Sequence, residues 1–333
     1  MNELFKALLI NEQEGKFTKE IKALSPDQLP QHELLIRVHY SSVNYKDALS
    51  ATGNKGVTRT YPHVPGIDAA GVVVRSQSEL FKAGEEVLVT GWDLGMNTWG
   101  GFGEYISVPA AWALKLPGGL SMQEAMSFGT AGLTAGLSIH RLLNAGIKPE
   151  NGEIAVSGAT GGVGSIAVAI LAKNGFNVAA VSGKKEEAFL LDTLGAKRII
   201  PRDEFSATYD KKPLSAPTFA AGIDTVGGPI LSGMLKATHY GGIVTACGMV
   251  AANDLHTSVF PFILRGVTLA GIDSVQAPME IRQEVWTLLA TSWKPAQLNN
   301  MIEEISLSDL PEKLEAILAG KARGRYVLAH AHR

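Results

Sequence analysis

The sequence predicts an α/β protein in two parts, a β-rich amino-terminal domain followed by a doubly wound parallel sheet. Three observations carry that expectation. Up to about residue 120 the chain is a series of short apolar runs broken by turn residues. From Glu153 onward strands and helices alternate, and between the first such strand and its helix lies a cluster of glycines.

In the first part, "LLIRVHYSSVNY", "AAGVVVRS" and "EEVLVTGW" read as strands punctuated by Pro65-Gly66, Gly84 and Gly100-Gly101. The texture changes at "SMQEAMSFGTAGLTAGLSIHRLLNAGI", where apolar residues recur at helical spacing and Ser121 stands three positions ahead of Glu124, the capping-box arrangement. Six strands follow: "EIAVSG", "NVAAVSG", "KRIIPR", "AAGIDTVGG", "GGIVTACGMV" and "GVTLAGIDS". Helices fit after Gly164, from Lys184 and from Pro229. Such alternation predicts a parallel sheet covered on both faces. The carboxyl-terminal stretch offers amphipathic helices at "MEIRQEVWTLLA" and "LPEKLEAILAG", then a strand "GRYVLAHA".

With 333 residues the chain exceeds the roughly 250–300 at which one hydrophobic core stops growing. Its 30 Lys and Arg against 32 Asp and Glu imply no polyanion-sized basic surface, and nothing in the composition argues for a nucleic-acid partner. A single cysteine, Cys247, excludes an intrachain disulfide and a cysteine-cluster zinc site. Neither a leader-like amino terminus nor an apolar run of about 18 residues is present, so no membrane role and a cytoplasmic location are expected. His330 and His332 have an HxH spacing, read as a frayed tail; Cys247 reads as core.

"EIAVSGATGGVGSIAVAILAKNG" places strand, glycine turn and helix in immediate succession. Ala159, Gly161 and Gly164 take the i, i+2, i+5 spacing of the dinucleotide fingerprint, with Gly158 and Gly162 as slack. Gly161 admits a pyrophosphate close to the backbone, Gly164 lets helix pack on strand, and the helix N-terminus presents N–H groups to the anion. An acid that binds the ribose is expected about 20 residues on. Residues 179–184 hold none, and the first acid is Glu186. Ser182 and Lys184 stand there instead, with Arg202 beyond the third strand, which argues for NADPH. The competing reading makes Lys184 and Lys185 a solvated helix start, although cations in a first turn oppose the helix dipole.

Taken together, "SSVNYKDAL", "VPGIDAAGVV", "TGWDLG", "GTAGLTA", "SGATGGVG", "IDTVGG" and "FPFILRGVTLAGIDSV" resemble the medium-chain dehydrogenase/reductase superfamily, and within it the zinc-free subgroup of acrylyl-CoA reductases and quinone oxidoreductases. The resemblance spans essentially the whole chain. It implies a GroES-like catalytic domain (residues 1–124 and 273–333) interrupted by a Rossmann domain (residues 125–272), assembled as a homodimer. Carried onto matching positions, it puts Asn44 and Tyr45 beside the nicotinamide and Thr130 near the cofactor. Ala159, Thr160, Gly161, Gly162 and Val163 would hold the pyrophosphate; Ser182, Gly183, Lys184 and Arg202 the 2′-phosphate; Met249, Ile263, Ser274 and Arg323 the rest of the cofactor path. Zinc-dependent relatives carry a Gly-His-Glu segment where this chain has Gly66-Ile67-Asp68, so no metal is expected.

Without a Lewis acid, a substrate that delocalises the incoming charge suits the site better than an unactivated ketone. Hydride addition to an enoyl thioester gives an enolate and addition to a quinone gives a phenolate, both of which hydrogen bonds can hold. The expectation is therefore an NADPH-dependent oxidoreductase acting on an electron-poor C=C bond, of the acrylyl-CoA reductase kind, with an enoyl-CoA as small-molecule partner. The alternatives are an NADPH:quinone oxidoreductase and a noncatalytic NADPH-binding protein. Tyr45 is the candidate proton donor or positioning group, Asn44 a hydrogen-bonding partner of substrate or cofactor, and Asp47 a local cap. Lys55 and Arg59 are candidates for CoA phosphates, or else solvated loop cations.

Overall fold

The computed structural model describes residues 4–331. They pack as two units, one comprising Ala131–Ser274 and Glu280–Met301, the other the residues up to Thr130, Val275–Met279 and those from Ile302 on.

The α/β unit holds six strands: β1 (Ile154–Ser157), β2 (Val178–Ser182), β3 (Arg198–Pro201), β4 (Phe219–Asp224), β5 (Thr238–Ala246) and β6 (Thr268–Gly271). Every pairing is parallel, in the order β3-β2-β1-β4-β5-β6. This is the Rossmann strand order, and ligands in such sheets bind outside the carboxyl ends of the strands, where the order reverses between β1 and β4. All residues of β1, β2 and β4 are buried, as strands covered on both faces must be. Their Ala, Val and Ile side chains meet Phe205, Ile230, Met234 and Leu235 of the covering helices Arg202–Tyr209 and Gly228–Ala237.

The second unit is built on a seven-stranded sheet. Leu34–Val43 lies at its middle, flanked by Asp68–Ser76, by Tyr105–Val108 and by the last strand, Arg325–Ala329. A hairpin, Phe5–Gln13 and Lys16–Leu24, turns on Glu14 and Gly15, both at positive φ (51° and 74°). Two apolar clusters form its core, one around Leu8, Ile10, Phe102 and Leu314 and another around Ile36, Val87 and Ile106.

The structure departs from the sequence reading in four places. Residues 280–301, expected with the catalytic part, pack on the α/β unit: Val285 lies so close to Gly136 that a Cβ there would come within 2.4 Å of it. The predicted helix from Lys184 does not start there, because the Ser182 hydroxyl accepts the Lys184 N–H (3.0 Å) and holds a turn; helix begins only at Glu187. The long helix Met122–Asn144 breaks at Gly129 (φ 53°, ψ −154°). His330 is not frayed: it is buried, its N–H bonds to the His39 carbonyl and its Nε2 to that of Gly101, both at 2.9 Å. His332 lies outside the described residues. The capping box at Ser121 and Glu124 forms as expected. Among the described residues no helix is long and apolar enough to cross a membrane.

Candidate active site

The glycine turn follows β1. Gly158 sits at φ 57°, and a Cβ on it would lie 2.3 Å from the Thr225 hydroxyl, so it is a required glycine rather than slack. A Cβ on Gly164 would reach the Gly158 carbonyl oxygen at 2.3 Å, the tight contact by which helix Gly162–Lys173 packs on the turn. Gly161 is the N-cap, and the N–H groups that follow it have no intrahelical acceptor and suit an anion. Beneath the turn the Ser157 hydroxyl donates to Asp224 (2.7 Å) and accepts the Thr225 N–H (2.8 Å), tying β1 to β4 where the strand order reverses. Burial pushes the Asp224 carboxyl up, against the bonds it accepts from Ser157, Gly227 and Val226.

At the ends of β2 and β3, Ser182, Gly183, Lys184 and Arg202 come together. The Arg202 guanidinium lies over Gly183, 3.1 Å from where a Cβ would stand. Lys184 is half-buried, and desolvation pulls its ammonium below the ordinary value while Glu186 opposes. Lys185 is exposed. Asp203, itself almost wholly exposed, stands 3.8 Å from Arg202 and offsets little of its charge.

Between the ends of β5 and β6 lies an open recess of about 510 Å³, lined by Ala246 to Met249 and Gly271 to Asp273. Cys247, read as core, is instead half-buried and lines this recess, and desolvation and then the Asp224 charge push its thiol up to about 12. Ser274, just past β6, accepts the Thr134 hydroxyl (2.7 Å) at its own, and its carbonyl accepts the buried Arg282 guanidinium (2.7 Å). Ile263 stands exposed on the short helix Phe260–Arg265.

The β-rich unit carries Asn44, Tyr45, Thr130 and Arg323. Tyr45 opens the helix Tyr45–Ala51; its side chain is 43% exposed, and no group among the described residues hydrogen-bonds its hydroxyl. Asn44, just before it, is buried. Its amide donates to Asp68 (2.8 Å), its carbonyl accepts from Arg325 (3.2 Å) and its backbone N–H donates to Asp47 (2.7 Å). The bonds to Asp68, Arg325 and Asp47 hold Asn44 in one orientation, with one lone pair of its amide oxygen left over. Asp68 also accepts the Ser42 hydroxyl and the Thr130 N–H (2.8 Å) and hydroxyl (2.5 Å). Asp47 caps the helix and accepts the Gly66 and Ile67 N–H groups. Burial, and then the Asp68 charge, push its carboxyl up to about 7 against the bonds from Asn44 and the Ile67 N–H. Arg325 is buried between them, and desolvation lowers its pKa while Asp68 and Asp47 oppose. Arg323, two residues earlier, is exposed.

Asp68 and Arg325 are thus the centre of a site that sequence reasoning passed over, although "GIDAAG" and the final Gly-Arg were both in view. Lys55 pairs with Glu12 (2.6 Å) and lies over the rings of Phe17 and Tyr61, with its side chain half exposed. Arg59 donates its backbone N–H to Asn97 (3.2 Å).

Two family descriptions match the chain, "Alcohol dehydrogenase GroES-like domain" over residues 30–118 and "Zinc-binding dehydrogenase" over residues 162–291. The chain is 44% identical over 327 residues to the acrylyl-CoA reductase AcuI of Ruegeria pomeroyi, covering 98% of this chain and 99% of that one. It is 43% identical over 331 residues to "Putative quinone oxidoreductase YhfP" of Bacillus subtilis, covering 98% and 99%. Among solved structures, that of E. coli K-12 YhdH with bound NADPH superposes with a TM-score of 0.93 at 44% identity, covering 97% and 99%. The structure of Bacillus subtilis yhfP with NAD bound superposes at 0.94 and 42% identity, covering 98% and 100%.

Proposed function

Because the chain belongs to the medium-chain dehydrogenase/reductase family, in its subgroup of acrylyl-CoA reductases and YhfP-type oxidoreductases, we propose that it moves hydride from NADPH to the electron-poor C=C of an acrylyl-CoA-like thioester. The observation that carries the cofactor is the corner at the end of β2, where a hydroxyl and two cations take the place of a ribose-binding acid. Gly158 to Val163 would hold the pyrophosphate, with Met249 and Ser274 along the strand ends. Ile263 and Arg323 are included on the resemblance alone.

One matching family description implies zinc, and the residues here do not fit it. Both Asp68 oxygens are taken by donors, Asn44 is locked between Asp68 and Arg325, and no three His, Cys, Asp or Glu side chains among the described residues are grouped to hold a metal ion. The chemistry proposed is accordingly zinc-independent. NADPH, when bound, supplies the hydride; the chain orients it and handles the proton. Tyr45, 43% exposed at a clamped helix start, is the proposed donor to the enolate. A quinone is the second reading, favoured by the likeness to YhfP. The protein would work in the cytoplasm as a homodimer. Supporting the latter, β6 is an edge strand, and Val259, Phe260, Ile263, Leu264 and Leu269 around it are exposed apolar side chains.

The test is NADPH oxidation with acrylyl-CoA, crotonyl-CoA and a small quinone in parallel. Turnover of the quinone alone favours the second reading, and binding of NADPH without consumption by any of the three defeats both. Replacing Tyr45 by Phe separates donor from packing group: unchanged kcat removes the donor role.

A further inference from the structure

We propose that Asp68 and Arg325 are positioning residues for this reaction, Asp68 holding the start of the Tyr45 helix and Thr130 in one fixed arrangement and Arg325 balancing its charge. The inference rests on the reading of Tyr45 and Thr130 given above.

Two segments distant in the sequence, residues 42–44 and Thr130, bond the Asp68 carboxylate, and a third, the last strand, is tied to them through Asn44. Ser42 comes from the end of the middle strand, Asn44 from the cap of helix Tyr45–Ala51, Thr130 from beyond the Gly129 break, and Arg325 reaches Asn44 from the last strand. The Gly129 break has a local purpose. A Cβ there would meet the Ser42 hydroxyl at 2.2 Å and the Asp68 carboxylate at 2.6 Å, so only glycine lets this backbone close on the acid. Interrupting the helix also frees the Thr130 N–H, and a carboxylate from another strand accepts it, as an anion is accepted at any helix start.

Arg325 has its Nη1 on the Val43 carbonyl and its Nη2 on the Asn44 amide oxygen, both at 3.2 Å. Its Nε has no hydrogen-bond partner among the described residues. A buried guanidinium so incompletely satisfied is costly, and it is retained beside two buried carboxylates, Asp68 and Asp47. Charge balance explains it: without Arg325 both carboxylates would face each other in a dry interior. Because Asn44 is held at its amide, its carbonyl and its N–H, the backbone that delivers Tyr45 has no freedom to shift.

The experiment compares Asp68→Asn, Arg325→Met and Arg325→Lys with the wild type, with kcat expressed per folded molecule, KM for acrylyl-CoA, and NADPH affinity by nucleotide fluorescence. A misplacement of about 1 Å costs about 10²-fold in rate, so Asp68→Asn and Arg325→Met are expected to lower kcat by about that factor with KM changed by less than about threefold. Lysine at 325 keeps the charge and is expected to recover about tenfold of the loss seen with methionine. Two results overturn the proposal: a kcat for Asp68→Asn within about twofold of wild type, or an Arg325→Met loss that lysine does not relieve, as a residue that merely fills the fold would give. Should Asp68→Asn fail to fold, the Arg325 pair decides. Should the wild type turn over none of the electrophiles, the reaction reading fails while the positioning proposal is decided on NADPH affinity. Weakening by about tenfold in Asp68→Asn supports it through Thr130, and equal affinity overturns it.

Discussion

Replacing Lys184 and Arg202 by alanine, singly and together, isolates the cofactor preference. Unit charges about 4 Å apart attract by about 4 kcal/mol at an effective dielectric of ~20. The Arg202 side chain is 60% exposed and Lys184 half-buried, so solvent screening reduces each contribution to about 1.5 kcal/mol. At 1.4 kcal/mol per factor of ten, each single variant is expected to lower kcat/KM for NADPH by about tenfold and the double variant by about 10²-fold. NADH lacks the 2′-phosphate, and its kcat/KM should stay within about twofold in all three. The assay is initial-rate NAD(P)H oxidation with one electrophile at fixed ionic strength, because added salt screens these charges. The related yhfP structure holds NAD, which makes the comparison pointed. A wild type that uses both cofactors equally well, or variants that lose both activities in parallel, would refute the phosphate corner.

Three further expectations follow from the geometry. Gly164→Ala places a Cβ against backbone that cannot yield, and should weaken NADPH binding by about 10- to 100-fold and lower Tm. Gly161→Ala meets the Gly158 carbonyl oxygen at 3.2 Å, a tight contact that a shift of a few tenths of an ångström relieves, and should lower Tm much less than Gly164→Ala while losing NADPH affinity; calorimetry with nucleotide titration distinguishes the two. Asp47 ionises near 4 when unfolded and near 7 when folded, so the fold keeps a proton the unfolded chain releases. Its contribution to stability falls as pH rises through that interval and is constant above it. Urea unfolding at pH 5 and pH 8 should therefore show Asp47→Asn gaining on the wild type by about 1–4 kcal/mol at the higher pH; a pH-independent difference contradicts this. Ile263→Asp puts a charge on the exposed apolar face beside β6 and should shift the protein toward monomer in light scattering; an unchanged mass excludes that face as the dimer contact.

What was legible in the sequence is what is local. The strand, turn and helix around Gly158 to Gly164 announce themselves because spacing and glycine content act over a dozen residues, and the capping box at Ser121 is read in four. The fully buried strands β1, β2 and β4 show as runs of Ala, Val and Ile. The hairpin strand Lys16–Leu24 went unseen because it is largely exposed and rich in charge, leaving no apolar alternation to find. Lys184 looked like a helix start because its neighbours are good helix formers, but one Ser182 hydroxyl bond decided otherwise. The Asp68 cluster joins positions 42, 44, 47, 68, 130 and 325, and no periodicity links residues that only the folded sheet brings together.

Cys247 has a bearing on the protein's survival in its own reaction. An electron-poor C=C alkylates thiolates, so an enzyme that gathers acrylyl thioesters works in the presence of an agent able to inactivate it. This chain has one thiol, half-buried at the wall of the recess past β5, bonded to the Asp224 carbonyl and held protonated well above neutral pH. Under the proposed chemistry the protein offers its substrate no nucleophilic sulfur to capture.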